Sequence, residues 1–244
     1  MKWLRRMGTS PQHPRARLLA FPHAGGWSSS FTPWRRQLPD DIDLLVAQLP
    51  GREKRSHEPN ADSLEAVVSR VAGELEDDPD TPLILIGHSF GALVSYETTR
   101  SLRSSGRAVD RLVVSGRQPP SFSNHPPFAS GVSDDELLSR LVDMGGISVA
   151  LQYKPNLMQP FLEAIRADLR LMEQHQRPIK PCDVPITAVH ASADPVVIGP
   201  RLRLWSLETT ADFEFIELEG GHFGVFQRDQ INRLFERLGL VSQP

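Results

Sequence analysis

Cysteine is nearly absent from the 244 residues: Cys182 stands alone. A single thiol excludes an internal disulfide and a thiolate metal site, and it suits a reducing cytoplasm, the expected location. There is no excess of positive charge either. The formal net charge is −3, which gives nucleic acid no reason to bind. No uninterrupted apolar stretch is long enough to span a membrane. The stretch Met1–Arg17 carries Lys2, Arg5, Arg6, Arg15 and Arg17 but lacks the apolar segment of a secretory signal. With Pro11 and Pro14 inside it, 1–16 is expected to be a flexible lead-in. Repeats and low-complexity blocks are missing as well. What remains, at ordinary apolar and charged fractions of 39% and 23%, is long enough to bury one sizeable core. A single domain over about 17–240 is expected.

What is present is organised around Thr81–Tyr96. The apolar run Leu83–Ile86 reads as a short strand buried on both faces. Gly87-His-Ser-Phe-Gly91 follows, and then a helix-like run from Ala92 to Leu102. A strand that turns directly into a helix through G-x-S-x-G is a nucleophile elbow. The turn forces Ser89 into a strained backbone conformation, and side chains at Gly87 or Gly91 would collide with the neighbouring strand and helix. The helix N-terminus behind Ser89 favours negative charge developing there. Ser89 is therefore the candidate nucleophile.

Upstream, Leu18–Phe21 is a strand running into Pro22-His-Ala-Gly-Gly26. A loop after an early strand is where this kind of site finds its second oxyanion donor, and small residues let the backbone come close. Ala24, paired with Phe90, is the candidate backbone donor. Gly25 and His23 border the same pocket, His23 either lining it or orienting the loop. Trp27–Leu38 reads as a helix. Leu44–Leu49 is a strand ending in Pro50-Gly-Arg-Glu-Lys-Arg55, whose cations Arg52, Lys54 and Arg55 leave the ligand-binding edge of the sheet. They are a candidate docking patch for a partner, or simply a solvated surface. Asp62 is expected to cap a helix through Leu75, and 76–82 to be an acidic connector.

After Leu112–Val114 the strand–helix alternation stops. Gln118–Pro127 is rich in Pro and Ser, Ser133-Asp-Asp-Glu136 reads as a capping box for a short helix to Met144, and a longer helix runs from Pro160 to Gln176. About 118–180 is therefore expected to be a lid over the active-site edge, with Met144 and Phe161 as substrate-binding candidates. Ile186–His190 is a strand leading to Asp194, and Phe213–Leu218 a last strand leading to His222.

A serine hydroxyl needs a base, and the base needs an orienting carboxylate. Asp194 and His222 each lie just past a strand's carboxyl end, the edge that carries Ser89. Asp183 and Asp212 precede their strands and belong to the opposite end; Asp229 falls in the closing helix. His190 is within a strand, His175 in the insertion, and His88 is expected to be packed in the elbow. The expected triad is Ser89, Asp194 and His222, in the chain order of an α/β hydrolase.

Phe21-Pro-His-Ala-Gly-Gly26, Gln48-Leu-Pro-Gly-Arg52, Gly87-His-Ser-Phe-Gly91, Val114-Ser-Gly-Arg117, Ala193-Asp-Pro195 and Gly220-Gly-His-Phe223 together resemble the type II thioesterases. These are free-standing editing hydrolases of polyketide and nonribosomal peptide assembly lines. The resemblance runs from about Arg17 to Leu238. It implies an α/β-hydrolase fold, a mostly parallel sheet flanked by helices with a helical lid. It also implies hydrolysis of acyl thioesters from the phosphopantetheine arm of a carrier protein, which binds transiently to a monomeric enzyme. No metal or organic cofactor is implied. Where family members often carry Met after the nucleophile this chain has Phe90, a change expected to narrow the acyl pocket; Ala193 replaces a second acid. An oxyester esterase, an acyltransferase or a non-catalytic binding module are the rival readings, and the intact Ser, Asp and His speak against the last.

Overall fold

The structure, a computed structural model, describes residues 2–75, 81–122, 129–175 and 180–241. Most of the acidic connector, at 76–80, lies outside them. So do residues 123–127 of the Pro- and Ser-rich stretch with residue 128 after it, and 176–179 at the insertion's end.

The chain opens with a strand, β1 (Leu4–Arg6), which pairs antiparallel with the strand Ile42–Ala47, Leu4 opposite Ala47. This part of the expected flexible lead-in is therefore structured. Its cause is that the Glu74 carboxylate accepts the Lys2 and Trp3 amides at 2.7 Å each, and Leu4 is buried. Next come β2 (Ala16–Phe21), α1 (Thr32–Arg35) and β3 (Ile42–Ala47). The single helix expected over Trp27–Leu38 is instead a 3₁₀ turn, Ser28–Phe31, followed by the one-turn α1. Three consecutive serines and Pro33 are poor material for a continuous helix. Then follow α2 (Leu64–Glu74), β4 (Leu83–His88), α3 (Phe90–Ser104) and β5 (Arg111–Ser115). Ser63, and not Asp62, caps α2: its hydroxyl accepts the Ala66 amide at 3.1 Å.

Between β5 and the next strand the insertion carries α4 (Asp134–Asp143), α5 (Val149–Gln152) and α6 (Pro155–Gln174). Ser133 caps α4 through the Glu136 amide at 3.2 Å. Helix α6 begins before Pro160, which sits inside its first turns and there removes only one early hydrogen bond. The chain closes with β6 (Ile186–Ala191), α7 (Gly199–Leu202), β7 (Phe213–Leu218) and α8 (Arg228–Arg237).

The strands form one seven-stranded sheet in the order β1-β3-β2-β4-β5-β6-β7, parallel except at β1. Every residue of β2, β3 and β4 is buried, which is why those stretches read as continuous apolar runs rather than alternating ones. The alternation survives in which core each residue joins. Leu19 and Phe21 of β2 face α2, α3 and α6. Leu18 and Ala20 face the other layer, with Trp34 and Phe235. All parallel strands aim their carboxyl ends at one edge, so the loops after β2, β4, β6 and β7 meet there. Among the described residues, no helix is long and apolar enough to cross a membrane.

Candidate active site

Ser89 is the residue between β4 and α3, with φ 55° and ψ −116°. A non-glycine residue with positive φ stores strain that its surroundings must hold in place. They do so through the Ser89 amide, which donates to the Ser115 carbonyl at 2.8 Å, and through two glycines. A Cβ on Gly87 would lie 2.0 Å from the Gly91 carbonyl oxygen, and one on Gly91 would lie 2.1 Å from the Phe21 carbonyl oxygen. Strand, elbow and helix thus approach more closely than any side chain allows. The Phe90 amide opens α3 and has no intrahelical acceptor. The Phe90 side chain is packed into the core and lines neither of the two cavities at this edge, so it narrows neither of them, contrary to the expectation from the sequence.

Asp194 follows β6 and His222 follows β7, and the two meet. His222 Nδ1 donates to Asp194 Oδ2 at 2.9 Å, while Asp194 Oδ1 accepts the Val196 and Val197 amides at 2.7 and 3.3 Å. An ionised carboxylate only accepts, so Nδ1 carries the imidazole proton and Nε2 presents its lone pair. Nε2 is buried and makes no hydrogen bond. His222 borders, with Ser89, Ala24 and Met144, a cavity of about 30 Å³, room for little more than a water molecule. Phe161 lies on the same wall.

Two further imidazoles crowd His222. The His88 ring lies 4.7 Å from it and is held through Nδ1 by the Ser115 hydroxyl at 2.7 Å. His23 packs edge-on against Phe223 at 4.9 Å. Burial, reinforced by His222 and then Arg52, pushes His23 down to about 3. Burial, then His222 and His23, holds His88 well below the usual imidazole range. Both are therefore neutral beside His222. Gly116, at φ +64°, leaves them the space: a Cβ there would sit 2.5 Å from His88 Cε1 and 2.9 Å from His222 Cε1.

A larger cavity of about 600 Å³ adjoins the first and shares His23, Gly146, Phe161 and Phe223 with it. Gly25 and the exposed Trp27 and Leu157 also border it. Among the described residues, no group of three or more His, Cys, Asp or Glu side chains could hold a metal ion.

The loop cations sit elsewhere than expected. Arg52 and Arg55 are buried, at 4% and 5% exposure. Arg52 forms a two-pronged ion pair with Asp168 of α6, at 2.6 and 2.8 Å. Arg55 pairs with Glu58, donates to the Gln48 carbonyl at 2.6 Å and stacks over the Trp3 ring. Neither guanidinium offers a surface charge to a partner; only Lys54 is exposed. Asp168 escaped sequence reasoning, although a signal existed. It lies three residues after Ile165 and seven after Phe161, on the apolar stripe of its helix, where an acid calls for a buried cation.

The thioesterase domain family matches this chain over residues 16–239. The chain is a member of the thioesterase family. This thioesterase is 30% identical to the gramicidin S biosynthesis protein GrsT of Aneurinibacillus migulanus over 234 residues, 94% of this chain and 91% of GrsT. It is 35% identical over 223 residues to the antimetabolite synthetase AmbE of Pseudomonas aeruginosa. That match covers 90% of this chain but only 10% of AmbE. Among solved structures it superimposes on the RedJ thioesterase from the prodiginine pathway of Streptomyces coelicolor with a TM-score of 0.84. The identity there is 33%, over 96% of this chain and 90% of RedJ. YbtT, a type II thioesterase from the yersiniabactin NRPS/PKS pathway, gives 0.86 at 28% identity, over 97% of this chain and 96% of YbtT.

Proposed function

We propose that this thioesterase is an editing hydrolase that removes acyl groups held as thioesters on the phosphopantetheine arm of carrier proteins in nonribosomal peptide or polyketide assembly. The observation that carries the reading is the Asp194-bound His222, its Nε2 without a hydrogen bond, on the wall of the cavity that Ser89 also borders. The kinship with YbtT, a type II enzyme of such a pathway, supports the substrate class.

The chemistry runs in two halves. His222 Nε2 takes the Ser89 hydroxyl proton as Oγ attacks the thioester carbonyl carbon. The carbonyl oxygen gains the negative charge and rests on the Ala24 and Phe90 amides, in the field of the α3 N-terminus. The tetrahedral centre collapses, the carbon–sulfur bond breaks, and His222 returns the proton to the departing thiol. Water then enters. His222 deprotonates it, the hydroxide attacks the Ser89 ester, and the carboxylic acid leaves as Oγ recovers a proton. Each turnover consumes one thioester and one water and yields one acid and one thiol. Helices α4, α5 and α6 act as the lid, Met144 and Phe161 bound the acyl group, and the larger cavity beyond them receives the rest of the substrate.

Parallel assays with acyl-N-acetylcysteamine and the matching p-nitrophenyl ester test the bond class. The reading expects the thioester to be the better substrate and free acid to be the product. A strong preference for the oxyester, or transfer of the acyl group to an added alcohol or amine in place of hydrolysis, would replace it.

A further inference from the structure

We propose that Asp168, on the buried face of α6, is a positioning residue for the oxyanion hole: with Arg52 it fixes the loop that presents the Ala24 amide. This inference rests on the functional reading above, in which Ala24 is an oxyanion donor.

The loop is a tight turn. The Gly26 amide donates to the His23 carbonyl at 2.8 Å, which closes a four-residue turn with Gly25 third in it, and Gly25 has φ +68°. A positive φ at that position is the signature of a type II turn. The alternative, a type I turn, differs mainly by a flip of the central peptide, here the one joining Ala24 to Gly25. Asp168 opposes that flip, and so holds the peptide next to the one that carries the Ala24 amide. Its Oδ2 accepts the Gly25 amide at 2.7 Å and, on the same oxygen, Arg52 Nη1 at 2.6 Å; Oδ1 takes Arg52 Nη2 at 2.8 Å. Asp168 is 1% exposed, so water does not compete for the carboxylate. A charge-assisted bond in such surroundings is both short and directional. One helical turn away, Ile165 presses on the same peptide: a Cβ at Gly25 would lie 2.3 Å from Ile165 Cγ1.

The loop after β3 grips the far side of the turn as well. Glu53, next to Arg52, accepts the Ser28 amide at 2.9 Å and the Ser28 hydroxyl at 2.6 Å. Arg52, through Asp168, and Glu53, directly, thus tie down the turn at Gly25 and the segment that leaves it at Ser28. An oxyanion donor acts only if held where the charge appears, and a displacement of about 1 Å costs roughly 10²-fold in rate. A buried acid on the lid helix, unexplained by the triad, is thereby given a task. Within that lid, the part of α6 that carries Ile165 and Asp168 is tied to the oxyanion loop.

Two double variants separate position from charge. Arg52→Met with Asp168→Leu replaces the ion pair by apolar side chains of similar size, an exchange that folds generally tolerate, and removes the acceptor from Gly25. Arg52→Met with Asp168→Asn is also neutral but keeps an oxygen for Gly25. The first is expected to lose roughly 10²-fold in kcat for acyl-N-acetylcysteamine with KM little changed. The second should recover most of that loss at equal thermal stability. Equal activity of the two, whether high or low, would overturn the role. If neither folds, the Gly25 amide in the wild type decides. Slow hydrogen exchange, close to that of the core, supports the clamp; exchange at the rate of an open loop removes it. Wild-type protein that fails to hydrolyse the thioester would instead defeat the functional reading, and this inference with it.

Discussion

Ser89 is held under strain by its neighbours, and the proposed triad is expected to work only while each atom keeps its partner. Ser89→Ala is expected to abolish thioester turnover, and a serine-directed phosphonate to label the wild type and not the variant. Asp194→Asn should fold normally and lose about 10⁴-fold in kcat, because an amide at Oδ2 would no longer hold His222 with its lone pair toward Ser89. Comparable losses from Asp183→Asn, with Asp194→Asn nearly neutral, would move the acid elsewhere. The neutral histidines carry a pH signature. For His23 the folded value is about 3 against 6.5 for the free group. The unfolded chain therefore binds a proton as pH falls below about 6.5, and the folded chain does not until about 3. Stability is full above that window and drops through it by about 1.4 kcal/mol per pH unit for each such group. His88 adds a loss of the same sign. Urea unfolding should give a free energy at least about 2 kcal/mol lower at pH 5 than at pH 7. Equal values at both pH would mean that both imidazoles titrate freely.

At the scale of elements, the glycines divide cleanly by what surrounds them. Gly91→Ala would drive a methyl into the Phe21 carbonyl, so the β2–β4–α3 junction must open. Loss of more than about 3 kcal/mol, or no soluble protein, is expected. Gly73 is an exposed residue of α2; a methyl added there would have nothing within 4 Å, and its φ is not positive. Gly73→Ala should raise stability by about 0.5–1 kcal/mol in thermal unfolding. Similar effects from the two would refute the close-approach account of the elbow. In the lid, Met144→Trp should shift acyl preference toward shorter chains with little change in stability, read from kcat/KM over an acyl-length series. The elbow, both later strands and the helical insertion are legible in the sequence because their signals are local: an apolar run, a glycine frame, a capping box. What is not legible depends on distant partners. Leu4–Arg6 becomes a strand only because Glu74 and β3 receive it. Arg52 looks like a surface charge until Asp168, 116 residues away, is brought beside it. Phe90 reads as a pocket residue because sequence proximity to Ser89 does not reveal that the first turn of α3 directs it into the core.

For the whole molecule, the burial of Arg52 and Arg55 leaves Lys54 as the exposed cation of its loop, and one exposed charge contributes no more than about 1 kcal/mol to an encounter. Lys54→Glu should therefore raise KM for an acyl-carrier substrate by less than about five-fold, and leave acyl-N-acetylcysteamine hydrolysis unchanged. A larger effect on the carrier substrate would mean that Lys54 faces a stronger acidic patch than one ion pair. On the proposed function, the exposed apolar Trp27 and Leu157 that border the larger cavity are where the arm of a carrier is expected to approach, without guidance from a charge on this loop. The central claim is that Ser89 frees acyl groups from a carrier's phosphopantetheine. Its most direct test is intact-protein mass spectrometry of an acylated carrier protein, before and after incubation with the wild type and with Ser89→Ala. The account predicts that the wild type removes the acyl mass, leaves the phosphopantetheine arm in place and releases free acid, while Ser89→Ala leaves the carrier acylated. A carrier that keeps its acyl group with the wild type, or loses it equally with the alanine variant, would contradict it.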